Sequence, residues 1–233
     1  MPACLRQAEE LNNRYIAITL RTNILPVLLC AADQPDEARR QSTDALRAWK
    51  LEGAHLQSWS DLFLVGHVLL CQGDGAQVVT MLRARWGELR RSFALRIPTV
   101  RLQTWFLRGT AALAAARQAR ATEPLLRLAE RDAVRLEGEQ SPWADAYASM
   151  LRAGAATVRG QTGPAIALAQ QAETRLLALE MKLTHASVQH LRGRLLGGQA
   201  GAALMASAEA WMRSQNIRRP DRFAHAIAPG GHP

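Results

Sequence analysis

His185 and His190 are the nearest pair of imidazoles in the chain, and imidazoles sharing a helix face can hold a metal or relay a proton. Five residues apart, they fall on different faces of a helix, whereas a zinc site of the HExxH kind needs a spacing of four. His55, His225 and His232 have no Cys or His at ligand spacing, and His67 has only Cys71 four residues on, so structural or solvent-exposed roles are expected for the histidines. Cys4, Cys30 and Cys71 are odd in number and lack a CxxC pair; they read as small hydrophobes in a reducing compartment. Asp36-Glu37 at a predicted helix start, and Glu9-Glu10 just ahead of the helix expected from 14, are read as acids near a positive helix end, which accounts for them without catalysis. Phosphate chemistry fares no better. Lys50 and Lys182 are the only lysines, both near predicted helix ends. The chain has no GxxxxGK[ST] loop, no GxGxxG after a strand, no HRD or DFG and no GxSxG elbow. No catalytic residue, cofactor site or metal ligand is expected.

The residues with the strongest pattern are structural. Trp59, Leu62, Phe63, Gly66, Leu69 and Leu70 recur as Leu102, Trp105, Phe106, Gly109, Ala112 and Leu113, and again as Tyr147, Met150, Leu151, Gly154, Thr157 and Val158, at offsets of 43 and 45 residues. Bulky residues one turn before a glycine and apolar residues one turn after it make one helix face that a neighbouring helix can approach closely. Self-similarity at this period marks a stacked helical-repeat array. VLLC at 27–30 recurs at 68–71, each followed three residues later by an aspartate, Asp33 and Asp74. Trp49, Trp86 and Trp211 sit near predicted ends of second helices, in phase with apolar stripes such as Val79, Leu82 and Trp86, which favours packing over ligand stacking.

Turn signals divide the chain accordingly. A short helix at about 3–12 precedes a long one at about 14–32, with a kink or a local break expected at Pro26. Residues 1–215 form the array, with helix pairs near 14–51, 55–92, 98–138, 142–182 and 184–215. Glu52-Gly53, Gly73-Asp74-Gly75, Thr122-Glu-Pro124 and Gly160-Gln-Thr-Gly163 are the turns, and Ser141-Pro142 reads as an N-cap with proline in the first helical position. Residues 216–233 form a capping segment and tail, in which Ile217 and Phe223 are expected to cover the apolar side of the last repeat. The fold class is all-α, an α-solenoid of about five antiparallel helix pairs with a repeat of about 43 residues.

Composition agrees. Hydrophobic residues make up 48% of the 233 but aromatics only 5%, so Ala and Leu carry the burial, as in packed helices. The formal net charge of +9 is almost wholly arginine. Its longest clusters are the pairs Arg39-Arg40, Arg90-Arg91 and Arg218-Arg219, without the stripe interleaved with aromatics that a nucleic-acid binder concentrates. Apolar runs at 24–32 and 62–71 are too short to span a bilayer, and charged residues stand where the apolar part of a signal peptide would lie. Cytoplasmic residence without membrane or nucleic-acid partners is the expectation.

Gly193–Gly198 and Ala208–Gly230, with the spacing of Trp211, Pro220 and Pro229-Gly230, together with Ala31–Ala38, resemble the C-terminal region of large bacterial multidomain serine/threonine protein kinases. In that family a kinase domain and an AAA/STAND-type ATPase domain precede a long tetratricopeptide-like helical region. The resemblance covers most of residues 14–230, and the kinase and ATPase portions have no counterpart here. It implies a non-catalytic, partner-binding regulatory module, whose ligand is a protein or peptide and whose partners include an upstream kinase/ATPase polypeptide. A fragment of such a kinase and an Arg-rich nucleic-acid-binding repeat are the competing readings. Arg101, Thr104 and Arg108, on a side away from the Trp105–Gly109 stripe, are the expected solvent-facing partner groove.

Overall fold

The computed structural model describes residues 2–48 and 56–230. All regular structure among them is helical: α1 (Pro2–Glu10), α2 (Arg14–Thr19), α3 (Leu25–Ala31), α4 (Pro35–Ala48), α5 (Leu56–Cys71), α6 (Gly75–Arg91), α7 (Pro98–Ala116), α8 (Glu123–Glu137), α9 (Pro142–Val158), α10 (Thr162–Ala178), α11 (Lys182–Leu196), α12 (Gly198–Ser214) and α13 (Pro220–Ile227). Trp49, Lys50, Glu52-Gly53, His55 and His232 lie outside the described residues. No helix among the described residues is long and apolar enough to cross a membrane.

Local chemistry explains most of the boundaries. Pro35, Pro98, Pro142 and Pro220 each open a helix, where a missing N–H costs nothing and φ is already set. Asp74 caps α6 by accepting from the Gln77 N–H at 2.9 Å. Ser141 stands at the N-cap of α9 in extended conformation, yet its hydroxyl makes no capping bond. Helix ends are closed by a residue in the left-handed region: Gly73 after α5, Gly160 after α9, and Asp33, Glu180 and Asn216 after α3, α10 and α12. Each lets a following N–H fold back onto the last turn, as Asp74 N does on Leu69 O at 2.9 Å. Because Glu180 ends α10 early, Lys182 opens α11 instead of closing α10.

The long helix expected at 14–32 is interrupted ahead of Pro26, where a π-helical segment joins α2 to α3. Pro26 has no N–H for the carbonyl four residues earlier and its ring crowds that carbonyl. The ladder widens in the turn before it, Leu20–Ile24 is a π-helical segment, and the Leu25 N–H reaches Leu20 O, five residues back. A 3₁₀ turn at Phe93–Arg96 fills the gap between α6 and α7, which sequence periodicity leaves blank.

From α3 to α12 every helix packs on the next, and α5 and α9 also pack on α7, as α3 does on α5. The repeated glycines lie at these crossings. A Cβ on Gly66 would stand 2.9 Å from Leu107 Cδ2, and one on Gly109 2.5 Å from Leu151 Cδ1. On Gly154 it would meet Leu113 Cδ1 at 2.6 Å and the Pro229 carbonyl at 2.7 Å. The stripe therefore buries glycine of one helix under leucine of its neighbour. Trp86 packs on the main core and Trp211 on a smaller cluster.

The C-terminal segment does more than cover the last helices. α13 packs on α11 and α12 and also on α5 and α7. Ile217 and Phe223 join Ala186, Ala208 and Met212, with Cys30, Ala31 and Cys71 packed against them. The Arg218 N–H donates to Ala31 O at 2.8 Å. The segment thus links α11–α12 to α3 and α5.

Candidate functional site

Between α3, α5, α7, α9, α11 and α13 lies a cleft of about 470 Å³, within the size of small-ligand and side-chain pockets, roughly 300–1,000 Å³. Its walls draw on the repeated stripe, with Trp59 and Phe63 from α5, Phe106 from α7 and Tyr147 from α9, and add His67 of α5 and Leu107 and Thr110 of α7. Spacings of three and four set each group on one side of its helix. Phe223 and Ile227 of α13 close the opposite side. None of its described lining residues carries a charge at neutral pH.

Aromatic contacts fix the walls. Trp59 stacks on Phe63 with centroids 5.0 Å apart, Phe63 meets His67 at 4.2 Å, and Phe106 stacks on Tyr147 at 3.9 Å. The Trp59 indole N–H donates to Thr104 Oγ1 at 2.9 Å, and that hydroxyl donates to Val100 O at 2.7 Å. His67 Nδ1 lies 2.7 Å from the Phe63 carbonyl. A carbonyl only accepts, so Nδ1 carries the proton and Nε2 keeps its lone pair. Burial holds the His67 imidazole below its ordinary pKa, against the raising effect of that carbonyl, and so in its neutral form. Such a site can sort ligands by apolar shape and a hydrogen bond; it offers no charged group to a phosphate or carboxylate.

Arg101, Thr104 and Arg108 do share one side of α7, but neighbours cover it. Thr104 is 1% exposed and Arg108 7%. Arg108 Nε donates to Asp132 Oδ2 of α8 at 2.7 Å, and its guanidinium lies 3.7 Å from the centroid of a Trp86 ring. Arg101 Nε donates to Glu139 Oε1 at 2.6 Å, and its Nη1 to Leu95 O at 3.1 Å. The expected partner groove is therefore an interhelical polar seam. Spacing showed the common side, but not that Trp86 and Asp132 would cover it.

The other candidates are accounted for locally. His190 Nε2 stands 3.2 Å from Glu209 Oε1, and His185 is half-buried. No group of three or more His, Cys, Asp or Glu that could hold a metal occurs among the described residues. Arg152 pairs with Glu137, Arg159 with Glu123 and Glu130, and Arg192 with Glu173, so many arginines face carboxylates of neighbouring helices. The cleft itself was readable only as a core stripe, because its far wall comes from α13, more than a hundred residues away from α5. No family model, curated protein or solved structure matches the chain.

Proposed function

We propose that the chain is a non-catalytic recognition scaffold, a tetratricopeptide-like α-solenoid of about five antiparallel helix pairs, which holds an apolar side chain of a partner polypeptide in the cleft. The observation that carries this reading is the cleft's composition: the rings of Trp59, Phe63, Phe106, Tyr147 and Phe223, and no charged side chain among its described lining. A buried aromatic or aliphatic anchor in a desolvated pocket is the usual centre of a protein interface. The ordered contacts of successive helices and the glycine crossings support the solenoid reading. By the resemblance, the scaffold serves a bacterial signalling kinase or ATPase, whose polypeptide is the first partner to try. The ion-paired arginines disfavour a nucleic-acid partner, since a charge held by a carboxylate contributes less to phosphate attraction.

The test is selection from a library of peptides with one randomised anchor position. Phe, Leu, Ile and Trp anchors are expected to enrich on the wild-type chain and not on Phe63→Glu, while Phe93→Glu, at an exposed site away from the cleft, selects as wild type. Enrichment of charged anchors, or the same anchors on Phe63→Glu, would sink the proposal. Calorimetric titration with Mg-ATP is expected to show no saturable binding; saturation would favour the kinase-fragment reading.

A further inference from the structure

The two VLLC segments place equivalent cysteines at the ends of α3 and α5, helices that pack on each other. Cys30 and Cys71 both line the aromatic cleft and a narrow recess beside it, which they share with Asp33, Arg222 and Phe223. Both pack against the same cluster beneath α13. The two thiols thus face one small recess. Arg222 of α13 spans the site, its Nε donating to Cys71 O at 2.7 Å and its Nη1 to Asp33 Oδ1 at 3.0 Å. This is a dithiol with a cation beside it and a cavity leading to it, beyond what packing by small hydrophobes requires.

We propose that Cys30 and Cys71 are a peroxide-reactive dithiol that closes to an intramolecular disulfide, with Cys30 as the attacking sulfur and Cys71 as the resolving one. The neighbouring Cys71 thiol and the Arg222 charge hold the Cys30 thiol below its ordinary pKa against the effect of burial, while the Cys30 sulfur and burial push Cys71 up. Thiolate character is what a peroxide selects. In the first step the Cys30 sulfur attacks one oxygen of a hydroperoxide, and the O–O bond breaks. The departing oxygen takes up the thiol proton and leaves as water or alcohol, and Cys30 becomes a sulfenic acid. In the second step Cys71 sulfur attacks Cys30 sulfur, the S–O bond breaks, and the hydroxide leaves with the Cys71 proton as water. Two electrons pass from the sulfurs to the peroxide. A small thiol reverses the closure by exchange. The bond would tie α3 to α5 at the wall of the cleft. The inference does not depend on the polypeptide-binding proposal.

The test is intact-mass spectrometry of the full chain carrying Cys4→Ser, treated with hydrogen peroxide. The expected product is a monomer lighter by about 2 Da, restored by dithiothreitol, with peptide mapping that links residues 30 and 71. Adding Cys71→Ser should leave a sulfenic acid that dimedone labels at Cys30, while Cys30→Ser with Cys71 intact should label at least tenfold less. Failure to lose the two hydrogens while both thiols stay reduced or overoxidise, linkage only between chains, or equal labelling of the two single-thiol variants would each overturn the proposal. Because the first measurement keeps both cysteines, it does not depend on either serine variant folding.

Discussion

Asp132 is fully buried and Arg108 nearly so, with 0% and 9% of their side chains exposed. Arg135 adds a second donor to Asp132 at 3.0 Å. The pair's own attraction is largely offset by the desolvation of both ions, so the cost of breaking it comes from the charge left behind. Asp132→Ala should therefore lower stability by about 3–5 kcal/mol, and Arg108→Met with Asp132→Leu together should lower it by less than Asp132→Ala alone. Urea unfolding of the single and double variants measures this; a double variant at least as damaged as the single would mean that the ion pair itself carries the stability. Thr110 is a contrasting case. It is 2% exposed, and its hydroxyl has no hydrogen-bond partner among the described residues. Thr110→Val keeps the β-branched shape and removes an unsatisfied oxygen, so the urea midpoint should rise, by about 1 kcal/mol in free energy.

Among the elements, the glycine crossings differ in what stands opposite. Gly109 faces the terminal carbons of Leu151, which can rotate aside, whereas Gly154 faces both Leu113 and the backbone carbonyl of Pro229. Gly109→Ala should be mild, since relief of the contact is offset by up to about 1 kcal/mol of helix propensity. Gly109→Leu should cost about 1–3 kcal/mol or more through overpacking, and Gly154→Ala should cost more than Gly109→Ala because a main-chain atom must move. Thermal midpoints that rank the two alanine variants the other way would contradict the packing seen at Pro229. Helix starts at Pro98, Pro142 and Pro220, the turns at Gly73 and Gly160, and the glycine stripe were all legible in the sequence, because the residues that cause them are neighbours in it. The π-helical segment before Pro26 was not. A proline announces a disturbance, but the ladder's choice between a kink and an i→i+5 slip depends on how α4 and α5 pack around Leu20–Ile24.

Over the whole molecule, the features the sequence concealed are those made by distant partners. Arg108 meets Asp132 across 24 positions and Arg222 meets the Cys71 carbonyl across 151, and no local period records either contact. The return of α13 across α5 and α7 is of this kind, and it makes global stability depend on pH. His225 of α13 accepts from Arg117. Its pKa is lowered from 6.5 to about 4, first by burial and then by the charges of Arg117, Arg194 and His190. The folded chain therefore binds fewer protons than the unfolded chain between these values. The contribution is fully present above the unfolded pKa of 6.5 and is lost as pH falls toward about 4, amounting to at most about 3 kcal/mol. Burial acts on His67 in the same direction. The wild-type urea midpoint should thus fall from about pH 7 to about pH 4.5. His225→Gln keeps an acceptor for Arg117 but cannot titrate, and should show a shallower fall over the same interval. Acid loss from depressed carboxylates such as Glu130 and Asp221 is common to both proteins, so the difference between the two pH curves isolates His225. Superimposable curves would mean that His225 is protonated at no cost in the folded chain, and that its contact with Arg117 does not hold α13 against α7.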